Sequence, residues 1–354
     1  MPKTAKSLPA IDPQYLTDFL VRLLNTPSPT GMAEPAIAMV EQELSEYKEL
    51  SLSRTRKGAL VAAWNVESDA PPAALTAHVD TLGAMVKAIK PNGRLQITRI
   101  GGLMLNAVET EGCQVFTSNG KQVRGSLLSN TASAHVFGAK AVETKRDEEN
   151  MEIRLDAVTG SAAETEALGV RVGDYVAFDP RVEVTNGFIR SRHLDDKACV
   201  AVLVAAIRAL KKAGLSPSRS VIFHFSNYEE VGHGAAAGIP PGVHELVTVD
   251  MAAVGPGQES DEFHATICLK DSGGPYHHGL SNKLREIAET YGIPYKTDIY
   301  PYYGSDGEAF WHAGGDVAVA LIGPGIDASH NYERTHVDSL AATTQWVLGY
   351  LTDS

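Results

Sequence analysis

The chain is poor in cysteine. Cys113, Cys199 and Cys268 lie far apart in 354 residues, and no Cys-x-x-Cys occurs. An odd, scattered set does not build a disulfide framework, and a reducing cytoplasm is the expected setting. Long apolar runs are also missing. No stretch approaches the ~20 residues a membrane-spanning helix needs. The amino terminus, Met-Pro-Lys-Thr-Ala-Lys-Ser-Leu-Pro, has no apolar core of the kind a secretory leader carries. Runs of lysine and arginine are absent, and the net charge is −12. Both facts argue against nucleic acid or an anionic membrane as a partner. No Gly-x-x-x-x-Gly-Lys-Ser/Thr loop and no Gly-x-Ser-x-Gly elbow is found, so phosphate-loop and serine-nucleophile chemistry have no motif to stand on.

What is present is ordinary in bulk. Apolar residues make up 44% and charged residues 21%, and the length allows two domains. Asp12-Pro13 reads as a helix start, with apolar residues recurring from Tyr15 to Leu24 at helical period. A second helix carries Ile37, Val40, Leu44 and Tyr47, a hairpin turns at Lys57-Gly58, and a short strand, 73–77, leads into His78. From residue 84 to 185 the texture changes to short alternating runs separated by Gly and Asn, which predicts a small β-barrel, with one helical turn near 162–168. Beyond 186, strands and helices alternate again. The expected fold class is therefore α/β, a mainly parallel sheet flanked by helices in a discontinuous domain of residues 1–83 and 186–354, with the barrel inserted.

Polar residues cluster where apolar strand runs end. Glu229-Glu230 closes one such run, and His78-Val79-Asp80, Asp195-Asp196, Asp250 and His330 hold similar places. Open α/β sheets put their ligands at the carboxyl ends of strands, so these distant segments are expected to meet. The donor types suit two divalent cations. Asp195, Glu230 and Asp250 with a shared hydroxide balance the charge, and His78 and His330 complete the set. Mixed imidazole and carboxylate donors favour zinc, with cobalt or manganese as alternatives. Glu229 is left as general base, and Asp80 as the acceptor that fixes the His78 tautomer. Each residue alone has a plainer reading: Asp196 as a helix cap, Asp250 as a turn cap, His330 as a loop histidine with His336 as its competitor.

Together these segments resemble the tetrahedral, glutamyl- and deblocking-type metallo-aminopeptidases, some of which were once labelled cellulases. The resemblance runs nearly end to end, through Thr26-Pro27-Ser28-Pro29-Thr30-Gly31, Ala77-His78-Val79-Asp80-Thr81-Leu82-Gly83, Leu194-Asp195-Asp196-Lys197, Glu229-Glu230-Val231-Gly232 and Val249-Asp250. It implies a phosphorylase/hydrolase-like fold in which His78 and Asp250 bind one metal, Glu230 and His330 the other, and Asp195 bridges. It also implies assembly into a twelve-subunit tetrahedral shell through the inserted domain, and short peptide or peptide-like amide substrates. Lys197 stands where the family has Arg, and Tyr228 where Gln is common. The Asp327 to His336 segment departs from the usual pattern and resembles a bacterial sub-branch associated with the osmoprotectant N-acetylglutaminylglutamine amide. Two further functions stay open: a deacylase acting on an N-acetylated dipeptide-like osmolyte, and a catalytically silent binding protein.

Overall fold

A computed structural model describes residues 7–353. Met1 to Lys6, part of the segment read for a leader, lie outside the described residues. The first helix, Pro13–Leu24, begins as its sequence dictates. The Asp12 carboxylate accepts the Tyr15 N–H at 3.1 Å, Pro13 opens the helix, and Leu16, Phe19, Leu20, Leu23 and Leu24 are buried.

A twelve-stranded sheet forms the backbone of the larger body. Its main path runs Leu50–Arg54, Leu60–Trp64, Val221–Ser226, Ala73–His78, Glu245–Val249, Ala318–Asp327, Glu333–His336, Phe188–Ser191, Glu183–Thr185. The centre is parallel: Ala73–His78 pairs in parallel with Val221–Ser226 and with Glu245–Val249, which pairs in parallel with Ala318–Asp327. The flanks are antiparallel, so the sheet is mixed. Ala73–His78 is buried at all six positions, as a central strand covered on both faces must be.

Helices Pro13–Leu24, Leu194–Lys212, His278–Tyr291 and Val337–Thr352 cover one face around Leu75, Val247, Phe223 and Trp346. Leu194–Lys212 lies between the sheet and two neighbouring helices and is buried on almost every side, so it shows no clean polar face. The other face packs Ala74, Ile222, Leu246 and Leu321 against Tyr276, Tyr300, Phe310 and Trp311.

The smaller body is a closed six-stranded barrel in the order Gly83–Ile89, Leu95–Ile100, Met151–Leu155, Gln122–Ser129, Gly112–Phe116, Tyr175–Phe178. Closure leaves no strand edge, and Val86, Leu95, Ile97, Val115, Leu127 and Ile153 fill the interior. The short helix Ala162–Ala167 falls where the helical turn is expected. The helix Asp306–His312 and the strands Ala252–Val254, Ala265–Cys268 and Glu333–His336 are absent from the sequence reading. They are seven residues or fewer, too short for a periodic signal.

Candidate active site

His78 ends the central strand, Glu229 and Glu230 follow Val221–Ser226, and Asp250 follows Glu245–Val249. All three strands run the same way, so their carboxyl ends deliver these side chains to one edge of the sheet. Asp195 stands in the kinked, non-helical stretch at the head of Leu194–Lys212, just beyond Phe188–Ser191, and His330 sits in the turn between the last two strands. Four non-glycine residues beside or within this set hold positive φ: His193 at 71°, Tyr228 at 76°, Ala328 at 58° and His330 at 63°. Such backbone is costly and persists where the surroundings enforce it, commonly at functional sites. The Asp195-Asp196 peptide is cis.

Asp195 stands between the two histidines. Its Oδ1 is 3.2 Å from His78 Nε2 and its Oδ2 is 3.6 Å from His330 Nε2. Glu230 Oε2 lies 3.7 Å from the same His330 nitrogen, and Glu229 Oε2 3.6 Å from His78 Nε2. Asp195, Glu229, Glu230, Asp250 and His330 all line a cavity of about 780 Å³. Ligand atoms of His78, Asp196 and Asp250 fall within 4.8 Å of one another, which sets Asp196 against Asp195 as a donor. Asp195 is the better candidate. It reaches the cavity, whereas Asp196 is fully buried behind it and uses Oδ2 to accept the His78 backbone N–H at 3.1 Å. Nor does Asp196 cap the helix, the reading favoured from sequence. Asp195 and Asp196 have non-helical backbone, so the regular helix begins at Lys197 with Asp196 just before it. The Asp196 carboxylate, however, turns to the His78 N–H instead of back onto the helix.

The electrostatics are those of a site wanting cations. Burial pushes the Glu229 carboxyl well up, with repulsion from Asp250, Asp306 and Glu230 adding to it. Burial and then Asp195 raise Glu230, and the same two causes push Asp250 up to about 7. Burial alone would lower the His78 imidazole, but Glu229, Asp195 and the other carboxylates outweigh it and raise it. Burial would raise Asp195, yet His78 and His330 hold it below the usual range. Nitrogen and oxygen donors are thus packed with excess negative charge in a half-enclosed cavity. A divalent cation relieves both the repulsion and the desolvation, so these residues fit one.

The surrounding groups differ from expectation in one respect. His78 Nδ1 faces the main-chain oxygen of Asp80 at 2.9 Å, while the Asp80 carboxylate is 3.7 Å away. That carboxylate instead accepts the Thr30 hydroxyl at 2.6 Å and the backbone N–H groups of Glu229 at 3.2 Å and Glu230 at 3.4 Å. Asp80 therefore holds the Glu229-Glu230 turn, and its peptide carbonyl orients the imidazole. Sequence reasoning missed two other buried carboxylates. Glu333 accepts the N–H groups of Asp195 at 3.2 Å and His330 at 3.1 Å. Asp306 accepts the Ser226 hydroxyl and the Ala235 N–H, the latter at 2.6 Å. Only their three-dimensional placement distinguishes them from loop acids. His336 is not with the site. Its Nδ1 accepts the Asp338 N–H at 3.2 Å as a helix cap, and its ring packs on Phe188 and Phe263. The barrel touches the site too: a Cβ on Gly102 would lie 2.7 Å from His330 Nδ1.

The chain is similar along most of its length to known proteins. YhfE of Bacillus subtilis (strain 168), provisionally named an aminopeptidase, is 47% identical over 335 residues, spanning 94% of this chain and 96% of that protein. The Pyrococcus horikoshii TET1 peptidase, which can assemble into a tetrahedron or a large octahedral shell, superposes with TM-score 0.84 at 22% identity over 96% of this chain and all of that one. Aminopeptidase APDkam598 from the archaeon Desulfurococcus kamchatkensis gives 0.85 at 22% identity, over 96% and 95%. The M42 glutamyl aminopeptidase family matches residues 58–346. This chain belongs to that family, and is by that membership a metallo-aminopeptidase, a hydrolase of peptide bonds.

Proposed function

We propose that the chain is a dinuclear metal-dependent aminopeptidase that removes the amino-terminal residue from short peptides. The observation that carries this reading is the Asp195 carboxylate, one oxygen turned to His78 and the other to His330 inside a buried acidic cavity. His78 and Asp250 would hold one ion, Glu230 and His330 the other, and Asp195 would serve both. Zinc suits the donors, as do cobalt and manganese. Two bound ions supply Lewis-acid activation of water and of the scissile carbonyl.

The chain's own residues do the rest. Glu229, its pKa raised by burial, takes a proton from the attacking water and delivers it to the leaving nitrogen. Asp80 fixes the turn that aims Glu229, and Glu333 fixes Asp195 and His330 by their backbones. The cavity, about 780 Å³, has room for a short peptide rather than a folded protein. The same reading places the enzyme in the cytoplasm, where its three buried thiols stay reduced. It also includes self-association, in a tetrahedral dodecamer, which a solution mass measurement tests.

The deciding experiment loads the protein with zinc or cobalt and offers matched dipeptides with free and N-acetylated amines. N-acetylglutaminylglutamine amide, the osmolyte class suggested by the Asp327 to His336 segment, belongs in the same panel. Cleavage confined to free amines is expected. Preference for the acetylated compounds would replace this reading with a deacylase, and no turnover of either with two ions bound would make the protein a silent relative.

A further inference from the structure

The helix Asp306–His312 and its cap turn one face to the cavity through Ser305, Glu308, Ala309 and His312, the i, i+3, i+4, i+7 set. Glu308 has no part in the metal set or the proton transfer described above. It is only 8% exposed, and what remains open of it faces that cavity. Its carboxylate lies flat on the chain at Gly273, where a Cβ would overlap Oε1. Behind it is Asp271, fully buried and held by the Tyr276 hydroxyl and by the Gly273 N–H at 3.1 Å. Burial, then this second carboxyl, pushes Glu308 up to about 8. Lys270 is close enough to oppose that shift, but its Nζ donates to the Asp271 main-chain oxygen at 2.8 Å. At neutral pH the pair therefore keeps one proton between its two carboxyls, and it forms a buried acidic wall that can release that proton to an arriving cation.

We propose that Glu308 selects substrates whose amino-terminal residue carries a cationic side chain, lysine or arginine. The inference rests on the aminopeptidase reading and adds the substrate class. An aliphatic side chain would leave a buried carboxyl facing apolar surface, which is costly. A lysine stem packs along Met251 and Tyr303, which line the same cavity, and brings its ammonium to the carboxyl. A glutamate side chain would meet like charge. The substrate's α-amine lacks the stem to leave the reacting centre, so it does not compete for this position.

The test measures equilibrium binding of two non-hydrolysable amino alcohols, lysinol and norleucinol, to the zinc-loaded protein by calorimetry. They differ in one terminal amine. Wild type is expected to bind lysinol at least about 10-fold tighter, equivalent to about 1.4 kcal/mol. In Glu308→Gln the ratio should fall to within about 2-fold while norleucinol binding holds, since the amide fills the same space but has no proton to give up to an arriving ammonium. Gly273→Ala keeps the carboxyl but displaces it, and should also reduce the ratio; it carries the comparison if Glu308→Gln does not fold. Equal binding of the two alcohols by wild type, or an unchanged ratio in both variants, overturns the proposal. Cleavage of free-amine dipeptides without a lysine preference would sink this inference alone. A lost free-amine requirement would sink the reading beneath it.

Discussion

At the scale of single residues, the proposed reading separates groups that would hold a metal from groups that would move a proton. Glu229 lies near His78 but is not between the histidines, so Glu229→Gln should keep both ions and lose about 10²–10⁴-fold in kcat. Metal analysis alongside kinetics checks this, and an emptied site would move Glu229 into the ligand set. The two histidines of the last segment separate in the same way. His330→Ala should lower bound metal without much change in the chelated protein's melting temperature, because the ring is about a third exposed. His336→Ala should do the reverse, keeping metal and costing about 0.5–2 kcal/mol as a lost helix cap. Equal metal loss in both would reopen the choice between them.

At the scale of elements, the sequence revealed what periodicity and strand ends can reveal. The helix at Pro13–Leu24 followed from Asp12-Pro13 and its apolar spacing, and the barrel from short alternating runs. His78, Glu229, Glu230 and Asp250 were legible because a polar residue ending an apolar strand is conspicuous. Asp306 and Glu333 were not, because each acts by accepting backbone N–H groups from segments far away in the chain. Asp196 misled for the same reason: an acid at a helix start reads as a cap until its partner, the His78 N–H, is seen. The strand Ala318–Asp327 shows how an element can position a candidate metal donor without supplying one. Gly323 lies against the Asp250 carbonyl, and a Cβ there would overlap that oxygen. Backbone on both sides cannot swing away as a side-chain tip can. Gly323→Ala should therefore cost at least about 1–3 kcal/mol and shift Asp250, lowering metal affinity in the molecules that still fold. Denaturant melts paired with metal titration test it; wild-type stability and affinity together would show that the strands part easily.

At the scale of the whole molecule, the packed carboxylates make stability depend on pH in a sense opposite to that of most acidic proteins. Glu229, Glu230 and Asp250 have folded pKa values above their unfolded ones. Between the two values the folded state still holds protons that the unfolded state has released, so stability falls as pH rises. For Asp250 the window runs from 3.8 to about 7. His78, also raised, adds a loss of the same sign above its ordinary value of 6.5. Asp195, lowered, acts the other way only below 3.8. His193 and His224, pushed down to about 3 and about 4 by burial, also oppose the trend up to 6.5. Lys197, pushed down to about 7 by burial, opposes it above that, but the raised carboxyls outnumber all three. The chelated protein should therefore melt at a higher temperature near about pH 5.5 than near about pH 8. Divalent ions take the place of the protons. With ion at 100 times its dissociation constant, the folded state gains about 2.7 kcal/mol, and that gain grows with pH because protons compete for the same oxygens. Calorimetric scans with chelator and with excess zinc, at both pH values, should give slopes of opposite sign. A chelated protein that gains stability from about pH 5.5 to about pH 8 would mean that these carboxylates are not forced together as described, and the case for a cation between them would lose its electrostatic basis.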